Sequence, residues 1–140
     1  MRKTLLVAAL LAFAGSAFAA PVTYKIDPSH TNVLASWDHF GFSNPSINFG
    51  KAEGTLVYDA EKVSNSSVQV TLPLTGLSAL ADQFYDHLTG DKWFDAAKYP
   101  DATFKSTKVE AAGEGKLKVT GDLTVKGITK PVVPDVNLNK

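Results

Sequence analysis

Hydrophobic and polar positions alternate along most of this chain, the pattern of strands that bury one face. The sharpest case is residues 116–126. Leu117, Val119, Leu123 and Val125 fall on one side, and Lys116, Lys118, Thr120, Asp122, Thr124 and Lys126 on the other. Gly121 sits on the apolar row, where a bent strand or a ligand can use the missing side chain. Residues 66–75 repeat the pattern, with Val68, Val70, Leu72 and Leu74 opposite Ser67, Gln69, Thr71 and Thr75. Five more strands are predicted over 22–27, 31–40, 46–58, 101–110 and 128–138. Gly50 and Gly54 are expected to kink or bulge the third of these seven strands, counted along the chain.

Residues 78–104 break the alternation and form the only long passage that reads as helical. Leu77, Leu80, Ala81, Phe84 and Leu88 recur at helical spacing. Ser78 is placed to cap the start, Asp82 to favour the positive end of the helix dipole, and Gly90 to end the helix in a left-handed turn. An apolar helical face needs an apolar surface to lie on. The expectation is therefore an all-β fold with one helix, an antiparallel barrel with a helical insertion capping one end. Nothing follows the last strand to cover its apolar edge, so the chain reads as incomplete at its C-terminus.

Composition narrows the classes. Residues 1–19 have the form of a secretory signal peptide: Arg2 and Lys3, an apolar run from Leu5 to Phe13, then Ala17-Phe18-Ala19. The apolar run is too short for a stable membrane span, and the expected destination is the periplasm. Residues 20–140 are then one domain. Setting aside Arg2 and Lys3 leaves 12 of the 14 basic side chains against 14 acidic ones, a balance that argues against a nucleic-acid partner. There is no cysteine, hence no disulfide staple and no acceptor for a lipid anchor. Oligomeric state stays open, a dimer being one option.

Several segments together resemble the YceI-like family: Tyr24-x-Ile26-Asp27-Pro28-Ser29-His30, His39-Phe40-Gly41, Gly54-Thr55-Leu56, Asp86-His87-Leu88, Trp93-Phe94-Asp95, Tyr99-Pro100, Thr103-Phe104-Lys105-Ser106 and residues 121–127. The resemblance runs from Tyr24 to the end of the chain. It implies a lipocalin-like antiparallel barrel whose hydrophobic interior carries a polyisoprenoid, such as an isoprenoid quinone or a polyprenyl compound, in the periplasm. It also implies a strand or more beyond residue 140. Family members often carry a basic residue near Asn44 or just before Asp86, and this chain carries none there. A neutral head group is therefore expected.

On this reading Phe40, Phe42 and Phe49, Val70 and Leu72, and Leu117 and Val119 line a cavity. Leu80, Phe84 and Leu88 from the helix and Trp93, Phe94 and Phe104 after it complete the lining, and His39 and His87 form its polar rim. The bland reading is that the aromatic residues only fill a core, which makes the protein a stress-response or interaction module without ligand. Metal chemistry is not expected, because three histidines stand without HxH or HExxH spacing. No cofactor is expected beyond the lipid. Asp27, Ser29 and His30 invite comparison with a hydrolase, but no nucleophile elbow surrounds Ser29, and Asp27-Pro28-Ser29 is turn chemistry. No catalytic residues are expected, and the chain is not read as an enzyme.

Overall fold

The computed structural model describes residues 20–139, so the leader lies outside the described residues. Ten strands and one α-helix follow in the order β1 (Val22–Lys25), β2 (Val33–Ser36), β3 (Ser46–Phe49), β4 (Glu53–Tyr58), β5 (Ser67–Pro73), β6 (Leu77–Ser78), α1 (Asp82–Thr89), β7 (Asp101–Gly113), β8 (Lys116–Val125), β9 (Ile128–Val132) and β10 (Asp135–Asn137). All pairings are antiparallel. One sheet runs β1-β4-β5-β7-β8-β10, with β9 also on β8, and a second runs β2-β3-β6.

The expected barrel is not closed. β1 and β10 are the two ends of the large sheet's strand order, and they do not pair with each other. Two of the predicted strands are each broken in two. Residues 46–58 divide into β3 and β4, which belong to different sheets. The corner between them contains Lys51 at φ 58°. Gly50 donates its N–H to the Gly76 carbonyl there, at 2.8 Å. Residues 128–138 divide at Val133-Pro134, since proline cannot donate to a ladder. β9 and β10 then pair with successive stretches of the long β8.

The helix differs from expectation at both ends. Leu77 and Ser78 pair with Phe49 and Asn48, so strand pairing takes Ser78 and it cannot cap the helix. The cap position is Ala81, without a side-chain hydrogen bond. Asp82 does occupy the first turn. Gly90 ends the helix in extended geometry, φ −67° and ψ 170°, instead of a left-handed turn. Its carbonyl accepts from the N–H groups of Trp93 and Asp95, which winds the chain directly into the next turn.

The alternating rows face inward where they were expected to. Leu117, Val119 and Gly121 are buried on β8, while Lys116, Lys118 and Asp122 are exposed. Two apolar clusters result. One joins Ile47, Phe49, Leu74, Leu77 and Leu88, with Trp37, Leu72, Phe84, Tyr85 and Phe94 packed against it. The other joins Val109, Leu117 and Val119, with Tyr58, Val68, Phe104, Val136 and Leu138 around it. The first core thus holds the small sheet and α1 together, and the second lies against one face of the large sheet.

Candidate functional site

The β2–β3 connection, α1 and the turn after it enclose a cleft of about 420 Å³. Its walls are Trp37, His39, Pro45, Leu80, Phe84, His87 and Trp93. Each wall is placed by an element already described. Trp37 continues the inward row of β2 after Val33 and Ala35, and its ring lies 6.0 Å from that of Phe84. Phe84 and Leu88 lie one turn apart on α1, so Leu88 can sink into the core while Phe84 shows an edge to the cleft. His87 lies in the last helical turn.

Two imidazoles supply the polar character. The indole Nε1–H of Trp93 donates to Nε2 of His87 over 2.8 Å. With Nε2 accepting from Trp93, Nδ1 is the ring nitrogen left to bond another group. His39 is exposed, and its ring meets that of Phe40 edge-on at 5.0 Å. No lysine or arginine lines the cleft. Among the described residues, no group of three or more His, Cys, Asp or Glu side chains could hold a metal ion.

A second space lies against the other cluster. Leu56, Tyr58, Val68, Val109, Leu117, Val119, Val136 and Leu138, with Ser66 and Ser67, border a void of about 160 Å³. Beside it is a recess of about 510 Å³ lined by Tyr24, Leu56, Tyr58, Gly115, Leu138 and Asn139. β1 and the end of the chain contribute to this recess, where the large sheet is open.

The residues expected to share one cavity are thus distributed. Leu80, Phe84, Trp93, His39 and His87 do meet, at the helix cleft. Leu117 and Val119 border the far void, and Phe104 packs against the same cluster. Phe49, Leu72, Leu88 and Phe94 belong to the solid core behind the cleft, and the rings of Phe49 and Phe94 meet edge-on at 5.9 Å. Val70 is half-buried on β5 opposite Phe104. Phe40 and Phe42 are placed outside, 83% and 91% exposed, because they ride a tight turn beyond the end of β2. Leu80 borders the cleft while being 91% exposed, since it precedes the helix and does not share its buried face. Trp37 and Pro45 were missed. Trp37 was legible as the inward continuation of the Val33–Ala35 row, but Pro45 gave no signal. The Phe104 ring covers Gly121, whose Cβ would also come 2.6 Å from the Lys105 carbonyl oxygen. The space left by that glycine is therefore filled by the protein itself.

Away from these spaces, Asp27, Ser29 and His30 form an exposed turn. Nδ1 of His30 lies 2.6 Å from Asp27 Oδ2, and the Ser29 N–H donates to Asp27 Oδ1 at 2.9 Å. The His30 hydrogen bond, helped by the Ser29 amide, holds the Asp27 carboxyl below its ordinary value.

The chain matches the model of the YceI-like domain over residues 24–140. A UPF0312 protein of Vibrio cholerae is 38% identical over 136 residues, which cover 95% of this chain and 72% of that protein. A UPF0312 protein of Pseudomonas savastanoi pv. phaseolicola is 35% identical over 142 residues, covering 99% and 74%. Among solved structures, Burkholderia cenocepacia BcnA superposes with a TM-score of 0.76 at 28% identity, over 82% of this chain and 72% of that one. The Campylobacter jejuni YCEI protein does so with a TM-score of 0.63 at 32% identity, over 81% and 67%.

Proposed function

The chain belongs to the YceI-like family, and from that premise we propose that it is a periplasmic, non-enzymatic carrier of a lipid-like isoprenoid. The observation that carries the reading is the helix cleft. It is walled mainly by aromatic and aliphatic side chains, with two imidazoles converging on it and no cationic side chain lining it. Sites for elongated apolar ligands have this make-up, a greasy wall with a few oriented polar groups. A lysine or arginine would be wanted for a phosphate head, whereas His87, accepting from Trp93 through Nε2, has Nδ1 left to bond a carbonyl-bearing head. A quinone-type head is accordingly favoured over a polyprenyl phosphate. Wall contact removes the ligand's apolar surface from water, worth about 25 cal/mol per Å² before the costs of binding. Delivery to the periplasm rests on the leader.

The test is organic extraction of the purified protein followed by mass spectrometry, run beside Leu80→Asp. Leu80 is exposed, so a carboxylate there enters the cleft wall without disturbing a core. The expected result is an isoprenoid in the wild-type extract and its loss from the folded variant. A wild-type protein that yields no lipid overturns the carrier reading and favours the ligand-free interaction module. An equal lipid load in Leu80→Asp removes the cleft from the proposal.

A further inference from the structure

Beyond the cleft, the turn that follows β2 holds two phenylalanines in water. The His39 N–H donates to the Ser43 carbonyl at 2.8 Å, and the Phe42 N–H to the His39 carbonyl at 3.1 Å. The Gly41 N–H donates to the Asp38 carboxylate at 2.8 Å. These bonds close a tight tip of Phe40-Gly41-Phe42. Phe40 sits at φ 56°, a left-handed conformation that is costly for a bulky side chain and persists only when its surroundings impose it. A folded protein has little reason to fix two aromatic rings outward at 83% and 91% exposure unless something receives them. Leu80, on the rim of the adjoining cleft, is exposed to the same degree.

We propose that the Phe40-Gly41-Phe42 tip, with Leu80 on the wall of the cleft that His39 also lines, docks the protein onto the uncharged interfacial zone of a phospholipid bilayer. Charge selects the kind of surface. No lysine or arginine occurs between Lys25 and Lys51 or between Lys62 and Lys92, the stretches that supply the tip and most of the cleft. Asp38, Asp82 and Asp86 are exposed on the same two stretches. An anionic surface would meet carboxylates and imidazoles on these stretches but no lysine or arginine, so the attraction is apolar and a zwitterionic surface is the better partner. Area argues against a second copy. Two phenylalanines at 150–250 Å² each, with one leucine, offer roughly 500 Å², short of the roughly 800 Å² per partner of a stable protein interface. A small convex tip can instead sink into a soft interface, as aromatic and leucine side chains do. The docking takes its purpose from the carrier reading, since it would bring the mouth of the cleft to the surface from which a lipid leaves.

The experiment is flotation of the leader-free protein with phosphatidylcholine vesicles that contain no isoprenoid, beside Phe42→Ser, whose side chain is in no core. Wild type is expected to float with the vesicles, and Phe42→Ser to partition about tenfold less. Binding should survive high salt and weaken when phosphatidylglycerol replaces part of the phosphatidylcholine. Absence of wild-type flotation, or equal flotation of a folded Phe42→Ser, overturns the proposal. So does a concentration-dependent dimer that Phe42→Ser abolishes, because a second copy would then own the tip. A protein that docks yet yields no lipid on extraction leaves the docking standing and overturns only the carrier reading.

Discussion

Replacing Leu88 with alanine tests the helix register on which the cleft depends. Leu88 is 1% exposed and packs in the cluster of Ile47, Phe49, Leu74 and Leu77. Truncation removes three carbons, roughly 2.4 kcal/mol of transfer free energy at about 0.8 kcal/mol each. These neighbours come from two strands, β3 and β6, and a 3-10 turn, so the site collapses only partly and a cavity term adds to the loss. The total expected cost is about 3–4 kcal/mol, against a global stability of roughly 5–15 kcal/mol. For a domain of this size that lowers Tm by about 10–15 °C. The sequence places Leu80 on the same helical face, yet it is 91% exposed, so Leu80→Ala should change stability by no more than about 0.5 kcal/mol. Urea unfolding followed by tryptophan fluorescence reads both variants, since Trp37 and Trp93 flank the helix. The urea midpoint of Leu88→Ala should fall by about 2 M, with the slope unchanged. A loss under about 1 kcal/mol for Leu88→Ala, or equal losses for the two variants, would show that α1 does not present this face to the small sheet.

Other substitutions probe the framework around the site. Gly121→Ala forces a methyl into the Phe104 ring and to within 2.6 Å of the Lys105 carbonyl oxygen, at an expected cost of about 1–3 kcal/mol in a thermal melt. Adding Phe104→Leu should recover only part, because the backbone contact remains; an unchanged Tm for Gly121→Ala refutes the packing. The Asp59 carboxyl is held below 3.8, first by the Lys62 backbone N–H and then by the Asn65 side chain. Its contribution is therefore complete above that value and is lost as pH falls below it. Asp59→Asn should flatten the acid limb of stability against pH in urea unfolding, and an unchanged limb would place the acid sensitivity elsewhere. Asn48 Oδ1 is buried without a hydrogen-bond partner among the described residues. Asn48→Val, on the central strand of the small sheet, should stabilise by about 1 kcal/mol, and a loss in the melt would show that the amide has a partner.

The 136 aligned residues cover 72% of the Vibrio cholerae protein, and the open recess lies between β1 and the far end of β8, where β10 pairs. The void beside that recess is bordered mainly by apolar side chains of β4, β5, β7, β8 and β10, with Ser66, Ser67 and Leu138 completing its wall. It differs in kind from the helix cleft, where side chains of opposite character meet.

The sequence by itself determined the strand faces, because a period of two leaves no choice about which side is buried once one row is apolar. Val68, Leu72, Leu117 and Val119 all turn inward as their alternation requires. It also located a helix centred on Phe84 and Leu88, and the family. Tertiary structure alone decided which strands share a sheet, where a single predicted strand had to break, and which apolar residues found a core. Leu77 and Ser78 fit a helical period and a cap, but long-range pairing with Phe49 and Asn48 claimed them for a strand. Phe40, Phe42 and Leu80 are as apolar as Phe49 and Leu88, yet they stand in water. Periodicity reports the direction of a side chain relative to its own element, and burial depends on whether another part of the chain arrives opposite it.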